Sequence, residues 1–183
     1  MNKKITNIIS VFKEQVKTQP DNIILIDKTL KLTYKEVDIM SDNLATEILR
    51  LTRDNKARIL LNLNHNYKII VSIIAILKTG NSYIPTANDI SGDRLEYIKK
   101  STGSDLIISE KYKSIIGQNI IFDSKFSSSK LQNKMAVKNY DLNDEVYVLF
   151  TSGSTGSPKG VSISYGNLIY ILNNMENICP TGN

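Results

Sequence analysis

Residues 150–160 read FTSGSTGSPKG, a run rich in Ser, Thr and Gly that carries one Pro and one Lys. By composition alone such a run suits a flexible linker. Its flanks argue otherwise. EVYVLF (145–150) ahead of it reads as a strand, GVSIS (160–164) behind it as a second, shorter one. Asn167, Leu168, Ile171, Leu172 and Met175 then fall in a helical pattern that begins near Ser164. A loop held between strands can turn several backbone N–H groups into one concavity, which glycines permit and an anion fills. The hydroxyls of Thr151, Ser152, Ser154 and Thr155 add donors, and Lys159 adds a point charge. Such a set suits a polyphosphate, because hydrogen bonds to ionised groups are the stronger kind. Pro158 stiffens the exit toward Lys159. The spacing excludes a Walker A loop, which needs Gly-Lys-Ser/Thr where this chain has Pro158, Lys159 and Gly160.

Outward from the loop, strands and helices alternate. Ile5, Ile8, Ile9, Phe12 and Val16 predict an amphipathic helix over about 5–18. IILID (23–27) and LKLTY (30–34) read as a strand and its return. Thr33 with Glu36 three residues on has capping-box spacing, and Val37, Met40, Leu44 and Ile48 carry that helix to about Arg50. ARILLNLN (57–64) is apolar enough for a central strand. Tyr67 to Thr79 is apolar on nearly every side, as in a helix buried between layers, with Gly80 as its C-terminal cap. SYIP (82–85), a helix from Ser91 to about Lys100, DLIIS (105–109) and NIIFD (119–123) follow. This order predicts an α/β fold with a largely parallel sheet layered with helices. Residues 124–140, rich in Ser, Lys and Asn, read as an exposed connection.

The chain has 183 residues, 41% hydrophobic and 22% charged, the balance of one globular domain. Its net charge of +5 is dispersed, without the basic block that nucleic-acid binding favours. The single cysteine, Cys179, excludes an internal disulfide and fits a reducing compartment; the single histidine, His65, lies far from it in sequence. The most apolar run, Ile69 to Leu77, is nine residues, against about 20 for a membrane span. The expectation is a cytoplasmic protein with neither nucleic acid nor membrane as partner.

LFTSGSTGSPKGV closely resembles the phosphate-loop signature of the adenylate-forming (AMP-binding) enzymes, which include acyl-CoA synthetases, luciferases and the amino-acid adenylation domains of nonribosomal peptide synthetases. LTYKEV (32–37) and LKTGNSYIPTAND (77–89) resemble two further elements of those adenylation domains, in the right order. Both are also accounted for as scaffold, a capped helix start and a helix stop followed by a strand. The resemblance implies that residues 1–183 form the N-terminal portion of the large domain, with the remainder of that domain and the small C-terminal domain absent. It implies ATP with Mg2+, the carboxylate ligand of the metal lying outside this chain, and attack of a carboxylic acid, by preference an amino acid, on the α-phosphorus. Carried over by position, Thr151, Ser152, Gly153, Ser154, Thr155 and Gly156 would wrap the β and γ phosphates, with Lys159 beside the departing pyrophosphate and Gly160 completing the cofactor-binding set. No catalytic acid or base is assigned. Tyr165 stands where relatives often carry His. A carrier protein and a complementary chain are the implied partners. The competing reading is a non-catalytic, partner-binding or remnant protein of the same fold.

Overall fold

The computed structural model describes residues 4–53, 56–127, 138–151 and 158–178. Helix α1 (Ile8–Thr18) precedes a hairpin of β1 (Ile23–Asp27) and β2 (Leu30–Thr33), and α2 (Tyr34–Thr52) follows directly. Then come β3 (Arg58–Asn62), α3 (Tyr67–Thr79), β4 (Ser82–Pro85), α4 (Gly92–Thr102), β5 (Leu106–Ser109) and β6 (Gln118–Ile121). Beyond these lie β7 (Glu145–Thr151), β8 (Lys159–Ser164) and α5 (Tyr165–Ile178). β1 and β2 pair only with each other. The main sheet has six strands in the order β6-β5-β3-β4-β7-β8, and every pairing is parallel except β7 with β8. The α/β reading with a largely parallel sheet therefore stands, with the hairpin that encloses the Ser/Gly loop as its antiparallel edge.

The two faces of the sheet are covered unequally. Ile59 and Leu61 of β3 and Leu106 and Ile108 of β5 point toward α1, α2 and α3, where Val37, Leu44, Ile48, Val71 and Ala75 complete the larger core. Leu60 and Ile107, the intervening residues, meet Leu95 and Ile98 of α4. Strands buried on both faces read as unbroken apolar runs, which is why ILLNL and LII show no alternation. β7 changes face at a register shift between Glu145 and Tyr147. Val146 and Tyr147 both pack with Leu77 and Tyr165, whereas Val148 joins the α4 side.

Local signals explain most boundaries. Thr33 accepts from the Glu36 N–H at 3.2 Å while the Thr33 N–H donates to Glu36 Oε2 at 2.8 Å, a reciprocal cap that fixes the start of α2. Gly80 ends α3 in the left-handed region with φ 78°. α5 starts at a similar reciprocal pair, Ser164 with Asn167. The first helix is shorter than its apolar periodicity predicts. Asn7, extended at φ −142°, caps it by accepting from the Ser10 N–H, so Ile5 lies outside. The Ile5 backbone is instead clamped by Asn173 of α5, which accepts from its N–H at 2.7 Å and donates to its carbonyl at 2.9 Å.

The segment read as an exposed connection is tied down where it is described. A 3-10 turn spans Ser124–Ser127, and Phe126 is buried against Phe122. At the other end Tyr140 stacks on Tyr165 at 4.8 Å and donates to the Asn81 carbonyl at 2.8 Å. The middle of that segment lies outside the described residues. Tyr165 itself is buried, and its hydroxyl accepts from the Ile8 N–H at 3.0 Å. Here the side chain at this position joins α5 to the start of α1 and packs against the β7 base of the hairpin, at Val146 and Tyr147, away from the hairpin tip.

Candidate functional site

In an open parallel sheet, ligands bind outside the carboxyl ends of the strands, near the point where successive connections leave on opposite faces. Here the chain leaves β3 for α3 on one face and β4 for α4 on the other. The crevice between their carboxyl ends holds Asn62, buried to 1% exposure, which donates to the Thr86 hydroxyl at 3.1 Å and the Ala87 carbonyl at 2.6 Å. Its Oδ1 has no hydrogen-bond partner among the described residues. β7, the next strand, ends at Thr151 on this same rim, and β8 re-enters the sheet at Lys159. The loop hairpin thus opens on the functional edge of the fold.

Of the expected site residues, Thr151, Lys159 and Gly160 are described; Ser152, Gly153, Ser154, Thr155 and Gly156 lie outside the described residues, as does Cys179. Thr151 and Lys159 face each other as the last ladder pair, both exposed. The Lys159 ammonium has no ion-pair or hydrogen-bond partner among the described residues, whereas Lys13, Lys56, Lys68, Lys78, Lys99 and Lys100 are each paired. Gly160 lies opposite Phe150. A Cβ built on it would stand 3.1 Å from both Phe150 Cζ and Val148 Cγ1, so the glycine lets the hairpin close over those side chains. The donor set at the hairpin exit, a hydroxyl and an ammonium unpaired among the described residues, fits an anionic group.

Behind the hairpin the strands are pinned by Glu145, a residue whose place at a strand start gave no hint of its role. Arg58 of β3 holds its carboxylate through two bonds of 2.7 and 2.8 Å, while Ser82 of β4 and Ser162 of β8 donate at 3.0 and 2.8 Å. Four strands meet on one carboxylate. Burial pushes the Glu145 carboxyl up, but Arg58 and the two hydroxyls outweigh it and hold it below the usual range. A depressed carboxyl contributes stability above its unfolded pKa of about 4.3, lost as pH falls through the folded value. Glu145→Gln is expected to reduce unfolding free energy by about 1–2 kcal/mol at pH 7. The deficit should shrink toward zero in urea melts run down toward pH 3.

A polar cavity of 470 Å³ lies at the opposite, amino end of the strands, beside Lys56, Arg58, Asp105 and Asp144. Its charges are each paired: Lys56 with Asp144, Arg58 with Glu145, and Asp105 with Lys99 from outside the cavity. No charge is left over for a ligand. Among the described residues no group of three or more His, Cys, Asp or Glu side chains could hold a metal ion, and His65 is exposed in the β3–α3 connection. No described helix is long and apolar enough to cross a membrane.

A largely parallel sheet with an antiparallel hairpin on its carboxyl rim defines an open α/β protein, and comparison with known proteins specifies the family. The profile of the AMP-binding enzyme family matches residues 12–182, and the chain belongs to that family. It is similar to zwittermicin A synthase ZmaJ of Bacillus cereus, 32% identical over 185 residues, which takes in 96% of this chain and 34% of ZmaJ. The chain thus spans about a third of that relative's length. Among solved structures the fold matches a fatty acyl-adenylate ligase from L. pneumophila with TM-score 0.78 and 20% identity, covering 95% of this chain and 33% of that one. It also matches the N-terminal subdomain of Klebsiella oxytoca NpsA with TM-score 0.73 and 20% identity, covering 88% of this chain and 41% of that one. The resemblance drawn from LFTSGSTGSPKGV holds, and so does the fold it implied.

Proposed function

We propose that this chain supplies the triphosphate-gripping hairpin of an adenylate-forming ligase that activates a carboxylic acid, by preference an amino acid, at the expense of ATP. The observation that carries the reading is the Lys159 ammonium, unpaired among the described residues and set at the first residue of β8 on the carboxyl rim beside Thr151. In the reaction, a carboxylate oxygen of the acid bonds to the α-phosphorus. The bond from that phosphorus to the bridging oxygen breaks, and pyrophosphate leaves with the electron pair. Charge therefore builds on the leaving group. Thr151, Ser152, Gly153, Ser154, Thr155 and Gly156 enclose its oxygens with amides and hydroxyls, Lys159 neutralises part of the charge, and Gly160 completes the cofactor-binding set at the hairpin exit. Mg2+, when bound, further screens the phosphates; none of these residues is a carboxylate that could ligate it. The acyl-adenylate is then passed to a thiol, for which a carrier protein is the fitting partner. The preference for amino acids rests on NSYIP (81–85), in the stretch that resembles amino-acid adenylation domains.

Two-thirds of ZmaJ has no counterpart in the aligned stretch, and the reading takes that part to be necessary for turnover. The chain by itself is expected to give no amino-acid-dependent exchange of labelled pyrophosphate into ATP. Mixing it with a polypeptide that supplies the remainder of an adenylation domain should restore exchange. Rapid exchange by the chain alone would overturn the division of labour. A second reading, a partner-binding protein of this fold, is favoured by the apolar side chains that α5 leaves in solvent, Tyr170 at 71% exposure, Ile171 at 46% and Met175 at 44%. That protein would capture its partner equally with and without ATP.

A further inference from the structure

The exit of the hairpin is held from outside by a residue that the loop signature does not include. α4 is fixed to the sheet by Leu95 and Ile98, both nearly fully buried against Leu60, Ile84 and Ile107, and its start is capped by Ser91. Tyr97, adjacent to that stripe, reaches across a groove of 430 Å³ toward β7 and β8, and its hydroxyl donates to the Pro158 carbonyl at 3.0 Å. The groove's far wall is Val148 and Phe150, onto which Gly160 closes.

We infer that Tyr97 is a positioning residue for the phosphate site, acting through the Pro158–Lys159 peptide. The peptide unit is planar and trans, so fixing the Pro158 carbonyl toward α4 turns the Lys159 N–H to the opposite side. Pro158 has no N–H of its own, and its ring limits φ, so the remaining freedom at the exit is rotation of this one peptide plane. Tyr97 removes it. The strand begins at Lys159 in a set direction, with Lys159 itself on the lining of the groove. This role rests on the phosphate reading proposed above, but the anchoring of Pro158 can be tested without a ligand.

Tyr97→Phe keeps the ring in the groove and deletes only the donor. By NMR, the amides of Lys159 and Gly160 are expected to exchange with solvent about fivefold faster in the variant, the effect of one neutral hydrogen bond. The amides of Ile98 and Leu60 should be unchanged, and the melting temperature should move little. Titrated with inorganic tripolyphosphate, the variant should bind about fivefold more weakly than the wild type. Unchanged exchange at Lys159 and Gly160, or faster exchange throughout the chain, overturns the inference. So does local loosening with undiminished tripolyphosphate affinity. Should the wild type itself fail to bind tripolyphosphate, the phosphate reading falls, and the anchoring of Pro158 stands or falls on the exchange data alone.

Discussion

Replacing Lys78 with Met is expected to lower the unfolding free energy by about 3–5 kcal/mol, the cost of leaving a buried charge without its counter-ion. Lys78 is fully buried at the end of α3. Its ammonium donates to Asp42 Oδ1 at 2.6 Å, Asp38 Oδ1 at 2.7 Å and the Ser41 hydroxyl at 2.7 Å, with the Phe12 ring 5.4 Å away. Lys13 of α1 shares both carboxylates, at 2.7 Å from Asp38 and 3.1 Å from Asp42. Two ammonium groups and two carboxylates thus balance where three helices converge. Burial pushes the Lys78 ammonium down, opposed by Asp38 and Asp42. On Lys13 the same carboxylates outweigh burial and raise it. With Lys78 gone, Lys13 alone faces two carboxylates, one of them 1% exposed. Asp42→Asn should also destabilise. The double variant Lys78→Met with Asp42→Asn restores one-to-one pairing of Lys13 with Asp38, so its loss should fall well short of the sum of the singles. Additive losses in urea melts would show that the four groups do not act as a unit.

The second large effect concerns Lys159. Its substitution by Ala should leave stability nearly unchanged, because the exposed ammonium makes no hydrogen bond or ion pair among the described residues, and should weaken ATP binding by about 10- to 100-fold, the range for hydrogen bonds to charged groups. In an assay reconstituted for exchange, the loss should be carried by the rate, since the lysine acts where charge accumulates on the departing pyrophosphate. Lys159→Arg, a charge of different shape, should recover affinity only in part. An unaltered exchange rate in Lys159→Ala would remove this residue from the site.

Much of the scaffold is legible along the chain. The apolar run from Ile59 to Leu61, the Thr33–Glu36 pair and Gly80 each mark a local preference that the fold also uses. So do the two strands around FTSGSTGSPKG, which locate the hairpin. What escapes is tertiary. Lys78 sits in LKTG, where it reads as part of a helix end, yet its partners come from a different helix. Asp38 and Asp42, four apart on the face that also carries Ser41, were a usable signal, because paired carboxylates on a buried stripe demand cations. Ile5 keeps helical period but is excluded by the Asn7 cap. Tyr97 and Glu145 carry no motif; their roles exist only because α4 and four strands meet at the hairpin. Phe126 and Tyr140, isolated aromatics in a polar stretch, were hints that its ends are anchored.

Competition between nucleotides tests most directly whether the rim hairpin grips the tail of ATP. Calorimetric titration of the chain with ATP, pyrophosphate and AMP should give saturable binding for ATP, displaced by pyrophosphate, with AMP weaker by an order of magnitude or more. Equal affinity for ATP and AMP, undisturbed by pyrophosphate, would contradict the account.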